Sequence, residues 1–278
     1  MAFLAARDPR VIDLAMRGVR VERGGASSEA SNDGRVAVLA HFSTLARISL
    51  SFRTLVEQFV CAGYRVIVVS SATCPTELDW GPAELADVIV LRKPNVGYDF
   101  GSWAVALDRF PAVRAAEHVV LANDSLVGPF ATIDPLLHEF EETPADVWGL
   151  TETLQFSRHL QSYFIGFRRG VLEERPLADF WSDVRHYEDK NLVIHRNELG
   201  LGRLLQDEGY AVDAAFVAEQ VVPAADNPTI IGWHRLLAGG FPFVKRELVR
   251  TPTLAPNGAE IKVAVKEIFG VDVEDWLS

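Results

Sequence analysis

Arg35-Val36-Ala37-Val38-Leu39-Ala40 and Tyr64-Arg65-Val66-Ile67-Val68-Val69 are two nearly unbroken apolar runs. Runs of this length mark strands buried on both faces. Between them, residues 50–62 carry Leu55, Phe59 and Val60 on one side and Arg53 and Glu57 on the other, and Gly63 closes the stretch. That is an amphipathic helix with a glycine after its last turn. Strand, helix and strand in this order dictate parallel pairing through a right-handed crossover. The rhythm continues with a strand at residues 87–91, a glycine-bearing loop at 93–101, a helix at about 102–107 and a strand at 118–122. Further strands are expected at 147–150, 163–167 and 211–217, and helices at 171–185, 197–208 and 259–268. The fold class is α/β: a three-layer Rossmann-like sheet with helices on both faces, mixed toward its C-terminal half.

Residues 1–34 precede this body, with a short amphipathic helix through residue 18 (Val11, Leu14, Ala15) and a small, polar, flexible linker at 22–34. Residues 35–240 form the main domain, and residues 241–278 form an extension packed on it. The chain has 278 residues, 27 Lys+Arg against 38 Asp+Glu, a formal charge of -11 and 49% hydrophobic residues. This composition excludes disorder, and the acidic balance excludes nucleic acid as a partner. Cys61 and Cys74 make no disulfide framework and suit two reduced thiols. The first residues lack the basic start and cleavage site of a secretory signal, and no apolar run approaches the ~20 residues that span a bilayer. A cytoplasmic protein is expected.

Four constellations carry chemistry. Asn123-Asp124-Ser125 follows the fourth strand, where ligands of open α/β sheets bind. A carboxylate flanked by oxygen ligands suits a hard divalent cation bridging phosphates; taken alone, the tripeptide is more often an Asx-turn or a cap. Asn95-Val96-Gly97-Tyr98-Asp99-Phe100-Gly101 joins a strand to a helix. Its glycines permit close approach to a phosphate, and Asn95 and Asp99 suit a ribose or base; a tight turn with Asp99 capping the helix fits equally well. Neither a GxGxxG nor a Walker A pattern is present. His159-Leu160-Gln161-Ser162-Tyr163-Phe164 brings an imidazole, an amide and a hydroxyl to sugar hydroxyls, with Phe156, Tyr163 or Trp148 alongside, or else forms an exposed loop. Glu198 opens a Leu-rich helix, where it either answers the helix dipole or serves as a general base. No nucleophile elbow, His-x-x-x-His or Cys-x-x-Cys pair occurs, so neither a serine triad nor a structural zinc is expected.

In order, Asn95-Val-Gly-Tyr-Asp-Phe-Gly-Ser-Trp103, Asn123-Asp-Ser-Leu-Val-Gly-Pro129, Trp148-Gly-Leu-Thr151, His159-Leu-Gln-Ser-Tyr-Phe164 and Asn197-Glu-Leu-Gly200 resemble the rhamnan synthesis F family of polysaccharide glycosyltransferases. Asn227-Pro228 and Gly240-Phe-Pro-Phe-Val-Lys-Arg246 resemble its C-terminal segment, and the likeness spans about residues 35–250. The resemblance implies a GT-A-like nucleotide-sugar domain that transfers a deoxyhexose, typically L-rhamnose from a dTDP donor, to a growing surface glycan. It implies donor contacts at Asn95, Gly97, Asp99, Asn123, Asp124 and Ser125. Sugar or acceptor contacts fall to His159, Gln161, Ser162 and Trp148. Asp124 would hold Mn²⁺ or Mg²⁺, and Glu198 would be the base of an inverting transfer. Two departures stand out. Asn-Asp-Ser replaces the Asp-x-Asp of GT-A enzymes, which leaves metal dependence open, with Arg203 or Lys245 as basic substitutes. His195-Arg196-Asn197-Glu198 replaces a Glu-Asp pair. A lipid-linked acceptor would bring the protein to the inner face of the plasma membrane through its Arg-rich stretches at 7–23 or 245–250. Two alternatives stay open: an inactive GT-A domain acting as a glycan- or nucleotide-binding scaffold, and a nucleotidyltransferase.

Overall fold

Alternate side chains of the strand at Arg35–His41 enter two different cores. Val36, Val38 and Ala40 meet Trp103, Leu177, Trp181 and Leu201 on one face of the sheet. Ala37 and Leu39 meet Phe52, Phe59, Leu137 and Phe140 on the other. Each large side chain removed from water contributes roughly 1.5–3 kcal/mol, which explains why strands apolar on both faces must sit between two helical layers. The computed structural model describes residues 8–24, 34–82, 85 and 88–278.

In chain order the strands are β1 (Arg20–Arg23), β2 (Arg35–His41), β3 (Arg65–Ser70), β4 (Ile89–Arg92), β5 (His118–Asn123), β6 (Leu126–Val127), β7 (Val147–Thr153), β8 (His159–Leu160), β9 (Phe164–Arg168), β10 (Val212–Phe216) and β11 (Val244–Lys245). The helices are α1 (Val11–Ala15), α2 (Leu50–Cys61), α3 (Tyr98–Arg109), α4 (Asp134–Glu142), α5 (Arg175–Ser182), α6 (Lys190–Val193), α7 (Leu199–Asp207), α8 (Ala218–Val221), α9 (Trp233–Ala238), α10 (Arg246–Arg250) and α11 (Ile261–Phe269). The main sheet runs β1-β4-β3-β2-β5-β9-β7-β10, with β8 on β7. β4, β3, β2 and β5 are parallel, β9 is antiparallel between β5 and β7, and β10 is parallel to β7. This is the expected three-layer α/β sheet, mixed in its C-terminal half. From β2 the chain winds outward to β3 and β4, then returns to lay β5 on β2's other side. Strand order therefore reverses between β2 and β5, where a crevice opens beyond the carboxyl ends.

Several elements depart from expectation for local reasons. The helix expected from residue 102 begins at Tyr98, because Gly97 turns the chain at φ 80° directly into it. A Cβ on Gly97 would lie 2.4 Å from Val11 Cγ2, so α1 packs where only glycine fits. The helix expected at 171–185 is divided into a 3₁₀ turn, Val171–Glu173, and α5. Pro176 in the first turn of α5 has no N–H with which to continue a preceding helix. The helix expected at 197–208 is α7 preceded by one turn of π-helix, Ile194–Glu198. Residues 1–7 of the expected N-terminal helix, residues 25–33 of the expected linker and residue 87 of the expected third strand lie outside the described residues. Glu22 and Arg23, expected in the linker, belong instead to β1, an antiparallel edge strand on β4. Glu22 Oε2 accepts from Arg92 Nη1 at 2.8 Å, with the two side chains only 5% and 7% exposed. Residues beyond 240 form a third cluster around Phe130, Trp233, Leu248 and Val265, and β11 pairs antiparallel with β6.

Candidate active site

At the reversal of strand order, the residues past β2 and β5 meet. The Phe42 amide donates to Asp124 Oδ2 at 3.1 Å. Above them opens a cleft of about 1010 Å³, bordered by Asp99, Asn123, Asp124, Ser125, Gln161, Ser162 and Glu198, with Lys190, Lys245 and Arg246 supplying positive charge. Asn123 organises the floor: Nδ2 donates to Asp99 Oδ2 at 2.6 Å, and Oδ1 accepts from the Ser125 amide at 3.0 Å. Burial, with the Asp124 charge adding to it, pushes the Asp99 carboxyl up to about 7. Lys93 lies beneath, donating to the carbonyls of Val96 at 2.6 Å and Pro94 at 3.1 Å. Burial pushes its ammonium down to about 8, against the pull of Asp99.

The opposite wall is built on Glu198. Glu198 does not open a helix as expected: α6, the π-turn and α7 run on without a break from Lys190 to Asp207, and the Leu199 amide is already bonded to the Ile194 carbonyl, so no free helix N-terminus faces the carboxylate. Ser162 Oγ donates to its Oε2 at 2.6 Å, and His159 Nε2 lies 3.3 Å from its Oε1. His159 Nδ1 sits 2.8 Å from the Ser157 carbonyl, which can only accept, so Nδ1 donates there and Nε2 is the ring nitrogen that faces Glu198. Gly202 of α7 lets the helix close onto this pair, since a Cβ there would come within 2.7 Å of His159 Cβ. Lys245 faces Glu198 from β11; burial lowers the ammonium and the Glu198 charge opposes that. Gln161 is held by the protein: Oε1 accepts from Thr151 Oγ1 at 2.7 Å, and Nε2 donates to Asn227 at 3.2 Å and Thr229 at 3.3 Å.

A family model described as rhamnan synthesis protein F matches residues 66–267. The chain belongs to the rhamnan synthesis protein F family. Membership sets a role in polysaccharide synthesis, of a glycosyltransferase-like kind that pairs a nucleotide-sugar donor with a polysaccharide acceptor. The chain is 29% identical over 241 residues to virulence protein VirA of Vibrio anguillarum strain ATCC 68554 / 775, covering 74% of this chain and 75% of that one. It is 25% identical over 225 residues to the uncharacterized protein y4gN of Sinorhizobium fredii strain NBRC 101917 / NGR234, covering 76% of this chain and 57% of y4gN.

The rhamnan synthesis protein F match contains the bordering residues from Tyr98 to Thr251, while His41 to Ser49 and Leu277–Ser278 border the cleft from outside it. Of the expected site residues, Asp99, Asn123, Asp124, Ser125, Gln161, Ser162 and Glu198 border the cleft, and His159 supports Glu198 from behind. Three are not brought to it. Asn95 is exposed on the loop before α3. The Gly97 amide donates to His186 Nδ1 at 3.2 Å. Trp148 is fully buried on β7, its Nε1 donating to Glu139 Oε1 at 3.2 Å. Arg203 is exposed on α7 and does not border the cleft, whereas Lys245 does.

His41 and Arg246 border the cleft, though neither has a site role by sequence: His41 is unnamed there, and Arg246 stands only in the C-terminal family segment and a basic stretch. His41 ends β2, is 5% exposed, and pairs Nδ1 with Ser70 Oγ at 3.0 Å. Its signal was a titratable residue at the carboxyl end of an apolar strand. Arg246 donates Nε to the Asp124 carbonyl and its amide to the Ser125 carbonyl, each at 2.9 Å. No periodic pattern announces it, because pairing between β11 and β6 brings it there.

Among the described residues no three His, Cys, Asp or Glu side chains converge into a metal cage. The donor set is Asp124, with Asp99 near enough for the Asp124 charge to raise its carboxyl. One or two carboxylates completed by substrate phosphates are what Mg²⁺ takes, so these residues fit a cation that arrives with a diphosphate.

Proposed function

We propose that the protein transfers L-rhamnose from dTDP-rhamnose to a growing surface polysaccharide, with inversion at the anomeric carbon and Glu198 as general base. The observation that carries this reading is Glu198, its carboxylate oriented by His159 and Ser162 on one wall of a cleft whose other wall holds Asp124 and Arg246. Family membership and the ligand crevice between β2 and β5 support a GT-A-like domain at residues 35–240, with the extension at 241–278 lending Lys245 and Arg246 to the site.

In this mechanism Asp99 and Ser125 hold the donor at the cleft floor. Ser162 and His159 keep the Glu198 carboxylate aimed at the acceptor. The acceptor hydroxyl oxygen bonds to the anomeric carbon as its proton passes to Glu198. The bond from that carbon to the diphosphate oxygen breaks, and dTDP leaves with the electron pair. Lys245 and Arg246 stabilise the charge it gains. A Mg²⁺ or Mn²⁺ on Asp124 would add charge neutralisation to the same diphosphate. We assign the work to the cytoplasmic face of the membrane, on a lipid-linked acceptor; among the described residues no helix is long and apolar enough to cross a bilayer.

The test is transfer from dTDP-rhamnose to a rhamnose oligosaccharide by purified protein. Glu198→Gln should lower turnover by roughly 10²–10⁴-fold while dTDP-rhamnose binding stays intact. Unchanged turnover overturns the base assignment. Donor binding without transfer or hydrolysis in the native protein supports the scaffold reading instead.

A further inference from the structure

We propose that Phe156 and His195 form a platform for a sugar ring of the acceptor glycan behind its reacting end, outside the cleft lining and on the segments that carry His159 and Glu198. Phe156 is 73% exposed, the most exposed of the large hydrophobic side chains among the described residues. It also holds φ at 70°, a left-handed conformation that a bulky residue rarely adopts. The fold thus accepts backbone strain and forgoes apolar burial at one residue.

The surrounding loop is not loose. On one side the Gln155 amide donates to Thr153 Oγ1 at 3.1 Å, and Gln155 Oε1 accepts from Asn227 at 3.3 Å. On the other, the Ser157 carbonyl is held by His159, and Arg158 makes two bonds to Glu152 at 2.8 and 3.1 Å. A pinned backbone that directs a phenyl ring outward is a presented ring.

Phe156 is not solitary. The His195 imidazole lies 5.8 Å from it, tilted by 55°, and is itself exposed. His195 belongs to the π-turn that ends at Glu198, and Ser157, next to Phe156, holds His159. The two rings therefore rise from the segments that carry the two partners of the His159–Glu198 pair. Single turns of π-helix inside helices gather at functional sites. A glycan stacked on these rings would lie beside the segments that hold His159 and Glu198.

The chemistry of the rings selects the occupant. A flat aromatic face with a polar imidazole edge suits a pyranose, whose C–H face is apolar and whose rim carries hydroxyls. A deoxyhexose suits it better than a hexose, because its methyl group replaces a hydroxymethyl and adds apolar surface. The acceptor assignment rests on the transferase reading above; the binding of the sugar does not.

The experiment is calorimetric titration of a rhamnose trisaccharide into the full chain without donor, for native protein, Phe156→Ala and Phe156→Trp. The expected result is binding by the native protein, at least fivefold weaker binding by Phe156→Ala, and binding retained by Phe156→Trp, with equal thermal midpoints. Equal affinity in Phe156→Ala, or no binding by the native protein, overturns the platform. In a parallel transfer assay Phe156→Ala should raise the acceptor KM and leave the donor KM unchanged. Trisaccharide binding that depends on Phe156 in a protein that neither cleaves nor transfers from dTDP-rhamnose would refute the transferase reading and leave the platform standing.

Discussion

Asn123 Nδ2 lies 2.6 Å from Asp99 Oδ2, so the end of β5 is bonded to the first turn of α3 at the floor of the cleft. The same asparagine holds the Ser125 amide through its Oδ1. One side chain therefore fixes both loops that the donor is proposed to touch, and it fixes them around a carboxyl that burial and Asp124 keep from ionising easily.

The first prediction follows from that carboxyl. Its pKa rises to about 7 in the folded protein, above its value in the unfolded chain. The folded state then keeps a proton that the unfolded chain has already lost, and the stability this brings is full at low pH and disappears as pH rises through about 7. Thermal melts between about pH 5 and pH 8 should show the native midpoint falling relative to that of Asp99→Asn, which keeps the acceptor for Asn123 without the charge. Parallel curves for the two proteins would contradict this.

Orientation of Glu198 is separable from its chemistry. Ser162→Ala and His159→Ala each remove one polar partner from the carboxylate. Each should lower kcat roughly tenfold or more, since a lost hydrogen bond to a charged group costs about 1.5–3 kcal/mol. Affinity for dTDP-rhamnose, measured by titration, should stay close to native. A loss of donor affinity with kcat intact would move these residues to the donor side.

Charge on the Asp124 wall can be read without turnover. Mn²⁺ added with dTDP should raise the native thermal midpoint beyond dTDP alone, because a bound ligand stabilises by mass action. Asp124→Ala should lose that increment. Arg246→Ala should bind dTDP more weakly, most visibly at low salt, where its charge is least screened. A cation increment that survives in Asp124→Ala locates the ion elsewhere.

Packing of the N-terminal segment on the donor loop makes a stability prediction. Gly97→Ala puts a methyl 2.4 Å from Val11 Cγ2 and a side chain at φ 80°. The cost should be roughly 2–4 kcal/mol from overpacking and left-handed strain together. Val11→Ala in the same chain should recover roughly 1 kcal/mol as a coupling term, measured by urea unfolding of the four proteins. Additive losses would show that Val11 is not the obstacle.

Much of the scaffold was legible because its signals are local. The apolar runs of β2, β3 and β5 and the amphipathic spacing of α2 are properties of adjacent residues, and they become the central strands and a sheet-covering helix. The ordered motifs were also enough to point to the rhamnan synthesis protein F family. Where local spacing carries no period, reading failed. Glu22 and Arg23 begin the stretch that reads as a polar linker, yet they close an edge strand, held by its ladder with β4 and the buried Glu22–Arg92 pair. Residues 171–185 are periodic enough for one helix, but Pro176 divides them.

By itself the sequence determined the α/β class, the strands that must be buried on both faces, the family, and a short set of polar residues at strand ends. Only the tertiary structure decided which of those residues share a site. His159 and Glu198 are 39 positions apart, and Asn123 and Asp99 are 24 apart. They meet because α7 packs onto β8 at Gly202 and because Gly97 turns the chain so that α3 starts at Tyr98. The same packing withdraws Trp148 into the core, leaves Asn95 at the surface and brings Arg246 to Asp124. Secondary structure follows from periods of a few residues, whereas a site is set by strand order, which no local period encodes.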